Sequence, residues 1–131
     1  MPRILVIEDN PANLKLATLL LHKAGHVVTS ARTAEDGLNA VRADEPDLIL
    51  MDVQLPGMSG LDATRHLKQD PATRHVPVIA VTALAMKGDE ERIRAAGCDG
   101  YLAKPLRYQQ LWESINALLA APGLGKADGT R

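Results

Sequence analysis

Residues that could do chemistry stand directly after short apolar segments of this chain. These segments end in Glu8 and Asp9, in Asp52, in Thr82 and in Lys104. Ligands of open α/β proteins bind outside the carboxyl ends of parallel strands, which meet at one edge of the sheet. If the segments are strands of one sheet, these five side chains converge, and we expect a site there.

The three acids of this set indicate a cation. Glu8, Asp9 and Asp52 would repel one another if they converged alone, which raises the pKa of at least one and destabilises the fold. Magnesium is the natural cation because it prefers oxygen ligands, keeps several waters and also binds phosphate oxygens. We therefore predict a Mg²⁺ site that includes Asp52.

Asp52 has a second possible role, as a nucleophile. A carboxylate can accept a phosphoryl group and form an aspartyl phosphate. Phosphoryl transfer depends on positioning and charge stabilisation, so an ammonium and a hydroxyl are the groups required beside Mg²⁺. Lys104 and Thr82 supply them, and we take Asp52, Thr82 and Lys104 as candidate catalytic residues.

Each of these residues also has an ordinary structural explanation. Asp52 could be a loop acid or a helix cap. Glu8 and Asp9 could simply favour the start of the following helix through its dipole. Threonine at strand ends and lysine on surfaces are common. The functional interpretation is favoured only because all five residues belong to the same end of the predicted sheet.

The elements that would position this site alternate between strands and helices, which is typical of βαβ units. Continuous apolar runs predict central strands, whereas mixed or short segments predict edges. The central strands are 4–7, 48–51 and 78–81, and the edges are 27–31, ending in Ala31-Arg32 without a comparable polar group, and 101–103. Helices are predicted from Asn10-Pro11 to Gly25, from Thr33 to before Pro46, and at about 61–68, 89–96 and 108–119.

Length and composition narrow the class of protein. The chain has 131 residues, 46% of them apolar and 24% charged, with a formal net charge of −1. These values favour one water-soluble domain without a membrane span, and they give no sign of a nucleic-acid binder. We expect a cytoplasmic protein with protein partners. The lone Cys98 forms no internal disulfide, and the four histidines show no zinc-ligand spacing.

The same segments carry a family resemblance. The chain resembles the receiver domain of two-component response regulators over residues 3 to about 120. The matching segments are "VIEDN", "LILMDVQLPGMSG", "VIAVTA" and "YLAKP", in this order along the chain. Within the family, the segment "VTALAMKGDEERIRAAGCDGYLAKP" is most similar to a stand-alone regulator.

The resemblance implies a fold and a function. The fold is α/β and flavodoxin-like (CheY-like), a five-stranded parallel sheet of order 2-1-3-4-5 with five helices on both faces. By the resemblance, Asp52 accepts a phosphoryl group from a histidine kinase or histidine phosphotransfer protein. The protein is then a phosphoacceptor in a phosphorelay, with self-catalysed transfer and slow autodephosphorylation, and no classical enzyme.

The resemblance also assigns roles to single residues. Asp9 and Asp52 would bind Mg²⁺ directly, Glu8 through water, and Gln54 through its backbone carbonyl. Lys104 would pair with the phosphoryl group, and the Lys104-Pro105 peptide bond would be cis. Thr82 and Tyr101 would form the switch.

The surface that would bind a downstream protein and the domain bounds follow from the same resemblance. We expect a receiver domain at 1–121 and a flexible tail at 122–131, too short for an output domain, in a monomer or weak dimer. A downstream protein would then bind helix 4, strand 5 and helix 5, including residues 86–94 and Tyr108. Leu84, two residues after Thr82, offers no polar group to position water, which favours a long-lived phosphoryl group.

Three other kinds of protein compete with this hypothesis. A phosphohydrolase of the haloacid dehalogenase type needs a second Asp two positions after the nucleophile, where this chain has Gln54. A flavodoxin-like FMN binder would be disfavoured by the acidic loop "EDNPAN". A receiver-like module that binds partners without phosphorylation remains the main alternative.

Overall fold

Five parallel strands form a single sheet in the computed structural model, which describes residues 2–83 and 87–120, except for the side chain of Lys87. The strands are β1 (Arg3–Ile7), β2 (Val27–Ala31), β3 (Leu48–Asp52), β4 (Val78–Thr82) and β5 (Gly100–Ala103). Their order is β2-β1-β3-β4-β5. The predicted order is confirmed, with the three continuous apolar runs in the middle and the mixed and short segments at the edges.

Four helices connect the strands, and a fifth follows β5. They are α1 (Pro11–Lys23), α2 (Ala34–Ala43), α3 (Gly60–Gln69), α4 (Lys87–Ala95) and α5 (Tyr108–Ala120). The first three begin at side-chain caps, because Asn10, Thr33 and Ser59 each accept a bond from the backbone N–H three residues later. α4 begins two residues before the predicted start at Asp89.

The core lies on both faces of the sheet. On one face, residues of β1, β3 and β4 pack with α2, α3 and α4, and on the other they pack with α1 and α5. Every residue of β3 and β4 is buried, as expected for central parallel strands. Cys98 is part of the first cluster, so the lone thiol is a core residue.

Three predicted features lie outside the described residues: Leu84, Met86 and the tail at 122–131. Among the helices that the structure describes, none is both long and apolar enough to cross a membrane.

Candidate functional site at the carboxyl end of the sheet

Asp52 is the most deeply buried acid of the predicted site. It is the last residue of β3, and only 2% of its surface is exposed. The backbone N–H of Gln54 donates to Asp52 Oδ1 at 3.0 Å, so the loop after β3 orients the carboxylate. The start of α3 also packs closely against the backbone of Asp52. A Cβ at Gly60, the first residue of α3, would lie 2.0 Å from the Asp52 backbone oxygen.

Glu8 and Asp9 lie beside Asp52. Glu8 is 5% exposed, and its Oε2 accepts a bond of 3.1 Å from the backbone N–H of Asn10. One carboxylate oxygen from each of Glu8, Asp9 and Asp52 falls within a cluster whose members are all within 4.8 Å of one another. The sheet therefore brings the three predicted acids together.

Lys104 approaches the same acids from β5. Its Nζ lies 3.2 Å from Glu8 Oε1 and 3.3 Å from Asp52 Oδ2. Its backbone N–H donates to Thr82 O at 2.8 Å, which continues the β4–β5 pairing beyond the last residue of the strand. The Lys104-Pro105 peptide bond is cis, as the family resemblance implied.

The site holds more negative charge than Lys104 balances. Burial first and Glu8 second raise the pKa of Asp52, the Gln54 N–H and Lys104 lower it, and the net result is a pKa of about 6. The ionised form of Asp52 thus lacks enough compensating positive charge. Three clustered carboxylates are hard oxygen donors of the kind Mg²⁺ prefers, so the residues present fit this metal.

The two predicted switch residues share one face of the sheet. Thr82, at the end of β4, is 2% exposed. Tyr101 lies on β5 opposite Ala80 and packs, half-buried, against the core cluster that contains Ala80. Its hydroxyl donates to Glu90 Oε1 on α4 at 3.1 Å.

Two contributors to the site were missed from the sequence. The end of β2 also contributes a residue, because Arg32 Nη2 donates to the backbone oxygen of Asp9 at 3.1 Å. The sequence feature that could have indicated this contact is a cation directly after an edge strand. Gly60 is the second, because the close approach of α3 to the Asp52 backbone requires a residue without a Cβ there. The part played by the Gln54 carbonyl stays a prediction.

Comparisons with known proteins agree with this geometry. The family model described as "Response regulator receiver domain" matches residues 4–116. The chain is 48% identical over 120 residues to the polar-differentiation response regulator DivK of Brucella anthropi, covering 91% of this chain and 98% of that protein. DivK of Brucella ovis is 47% identical, over 88% of this chain and 94% of that protein. The resemblance to a stand-alone regulator seen in the sequence is thus to DivK.

Solved structures give the same result. A response regulator from Chloroflexus aurantiacus is 29% identical, with a TM-score of 0.88, covering 92% of this chain and 98% of that one. The receiver domain of a sensor histidine kinase from Pseudomonas aeruginosa is 34% identical, with a TM-score of 0.85 and the same coverage of both chains. That domain holds a magnesium ion coordinated in its active-site cleft. With the matched family model, this chain belongs to the response regulator receiver domains of two-component signalling.

Proposed function

We propose that Asp52 accepts a phosphoryl group from a phosphohistidine of a histidine kinase or histidine phosphotransfer protein, and that this step controls binding to a downstream protein. The observation that carries the proposal is the buried Asp52 carboxylate, with Lys104 Nζ at 3.3 Å and the acids Glu8 and Asp9 beside it. This set supplies a nucleophile, a fixed cation and a metal site in one place.

The transfer is a displacement at phosphorus. An Asp52 carboxylate oxygen forms the new O–P bond while the P–N bond to the donor imidazole breaks, and the leaving imidazole takes up a proton. The Gln54 N–H holds Oδ1 of Asp52, so Oδ2 is the oxygen placed for attack. Lys104 Nζ lies beside that oxygen and can pair with the negative phosphoryl oxygens after transfer.

Glu8, Asp9 and Asp52 would hold Mg²⁺, with the Gln54 carbonyl as a further ligand. When bound, the metal offsets the negative charge that otherwise repels an incoming phosphoryl group. Glu8 is oriented for this role by the Asn10 N–H. Thr82 supplies a hydroxyl at the end of β4, aimed at the phosphoryl oxygens once they are present.

The output is proposed to pass from Thr82 to Tyr101 and then to the surface formed by α4, β5 and α5. Phosphorylation can shift a two-state protein only through contacts that differ between the states. A hydrogen bond between Thr82 and the phosphoryl group is such a contact, and Tyr101 lies on the same face of the sheet. The Brucella relatives are named as regulators of polar differentiation, which supports a role in control of other proteins.

Phosphorylation by a small donor tests the acceptor. We expect acetyl phosphate with Mg²⁺ to add one phosphoryl group to the wild-type protein, measured by intact mass, and EDTA to abolish the adduct. Asp52→Asn should gain none, whereas the control Asp62→Asn, an exposed acid of α3, should behave as wild type. The same mass gain in Asp52→Asn would assign the acceptor elsewhere. Release of many phosphates per protein would instead favour a hydrolase.

A further inference from the structure

We propose that Glu90 and Arg94 of α4 form a latch that holds Tyr101 in its resting position, and that release of this latch is part of the response to phosphorylation. We define the latch as the Tyr101 hydroxyl, the Glu90 carboxylate and the Arg94 guanidinium. The inference rests on the proposed function, because the latch regulates the switch that we assign to the phosphorylated site.

The contacts of the latch use both oxygens of one carboxylate. Tyr101 Oη donates to Glu90 Oε1 at 3.1 Å, and Arg94 Nε donates to Glu90 Oε2 at 3.1 Å, one helical turn later. A hydrogen bond to an ionised acceptor is stronger than one between neutral groups. Arg94 also restricts the Glu90 side chain, so less freedom is lost when Tyr101 binds. Glu90 raises the pKa of Tyr101, which keeps the phenol protonated as the donor.

The register of the sheet shows where the ring can go after release. Tyr101 pairs with Ala80, and Ala103 pairs with Thr82. Residues two apart on a strand share a face, so Tyr101 and Thr82 point to the same side of the sheet, about 7 Å apart along the strand direction. The residue opposite the ring is Ala80, so the β4 side chain beside Tyr101 on the way to Thr82 is small.

The exposure of the latch suits a contact that must open. The side chains of Glu90 and Arg94 are 44% and 62% exposed, and contacts between charged groups at such positions contribute little because water competes for them. A weak contact changes the ratio of two states by a small factor. The latch can therefore bias the resting state without preventing the transition when Thr82 bonds to the phosphoryl group.

A double-mutant cycle tests the latch by function. Glu90→Ala and Tyr101→Phe each remove one side of the same hydrogen bond. We expect each to raise the initial rate of Asp52 phosphorylation at limiting acetyl phosphate about threefold, because a larger share of molecules occupies the acceptor-competent state. The double variant should be no faster than Glu90→Ala alone. Additive effects of the two substitutions would overturn the proposal.

The matched control is Glu91→Ala. Glu91 is the next residue of α4 and is exposed, so this substitution removes the same charge from the same helix without touching Tyr101. We expect its phosphorylation rate to equal that of wild type. An equal gain in Glu91→Ala would show that helix charge, and no contact with Tyr101, sets the rate.

A second measurement needs no phosphoryl donor. With 3-fluorotyrosine incorporated, the two tyrosines of the chain give two fluorine signals, assigned through Tyr108→Phe. In Glu90→Ala, the Tyr101 signal should lose part of its relaxation by a soluble paramagnetic agent, because the released ring turns inward. Unchanged or greater relaxation would overturn the latch. If wild type takes no phosphoryl group, the proposed function fails, while this measurement still decides the latch.

Discussion

Asp52 is placed where its ionised form is disfavoured, and this placement explains its chemistry. A carboxylate at the end of a buried strand is desolvated, and Glu8 adds a like charge. Lys104 offsets part of this charge from 3.3 Å. A desolvated, partly compensated carboxylate is a better nucleophile and metal ligand than a solvated one, so the cost to stability serves the proposed function.

This cost is measurable as a dependence of stability on pH. The pKa of Asp52 is about 6 in the folded protein, against an ordinary value of 3.8. The native state therefore binds the proton more tightly than the unfolded state, so Asp52 favours folding at low pH. That contribution is lost as the pH rises from about 4 to above 6, and it amounts to about 3 kcal/mol.

We accordingly predict that Asp52→Asn stabilises the protein in EDTA, and that its advantage over wild type grows between pH 4 and pH 7. Urea denaturation of both proteins across this range gives the difference in the free energy of unfolding. Glu91→Gln serves as the control, since it neutralises an exposed carboxylate of α4 outside the site. A constant advantage of Asp52→Asn would contradict the raised pKa.

At the scale of the elements, the apolar pattern predicted which strands are central and most of the bounds, whereas the strand order came from the family resemblance. The apolar runs of β1, β3 and β4 differ from the mixed β2 and the short β5, and burial on two faces explains the difference. The capping residues Asn10 and Thr33 predicted where the first two helices begin. Two features escaped prediction because they depend on distances between elements: the approach of α3 to Asp52 at Gly60 and the reach of Arg32 to Asp9.

The approach of α3 gives an element-level prediction. In Gly60→Ala, the new Cβ would lie 2.0 Å from the Asp52 oxygen and 2.9 Å from its carbonyl carbon. Both are backbone atoms, so α3 or the end of β3 must shift. We expect a loss of about 2 kcal/mol in stability and a slower phosphorylation of Asp52, measured by urea denaturation and intact mass.

Gly88→Ala is the matched control for this substitution. Gly88 belongs to α4, and a Cβ there meets no atom of the residues that the structure describes within 4 Å. Alanine has the higher helix propensity, so this variant should be more stable by up to about 1 kcal/mol. Equal stability losses in the two variants would mean that the contact with Asp52 is not what Gly60 serves.

At the scale of the whole molecule, metal binding should stabilise the fold. Neutralising three clustered carboxylates relieves repulsion that exists only in the native state, so Mg²⁺ binds the folded protein in preference to the unfolded one. At about 100 times its Kd, the metal would add about 2.7 kcal/mol. Thermal melts with and without Mg²⁺ should show a rise in Tm for wild type and for Glu91→Ala. Asp9→Ala should lose most of this rise in Tm. A rise in Asp9→Ala equal to that of wild type would show that Asp9 does not bind the metal.

The last prediction joins the site to the surface on which output is proposed to depend. Asp52 is on β3 and Tyr101 is on β5, and β4 lies between these two strands. A signal between them therefore has to cross β4, whose last residue is Thr82. Thr82→Ala removes the hydroxyl and leaves the acids and Lys104 in place. We expect it to take up the phosphoryl group on Asp52, while the fluorine signal of Tyr101 keeps its resting exposure after phosphorylation. Thr82→Ser restores the hydroxyl and should restore the inward turn of the ring. If phosphorylated Thr82→Ala shows the same change at Tyr101 as wild type, another residue carries the signal.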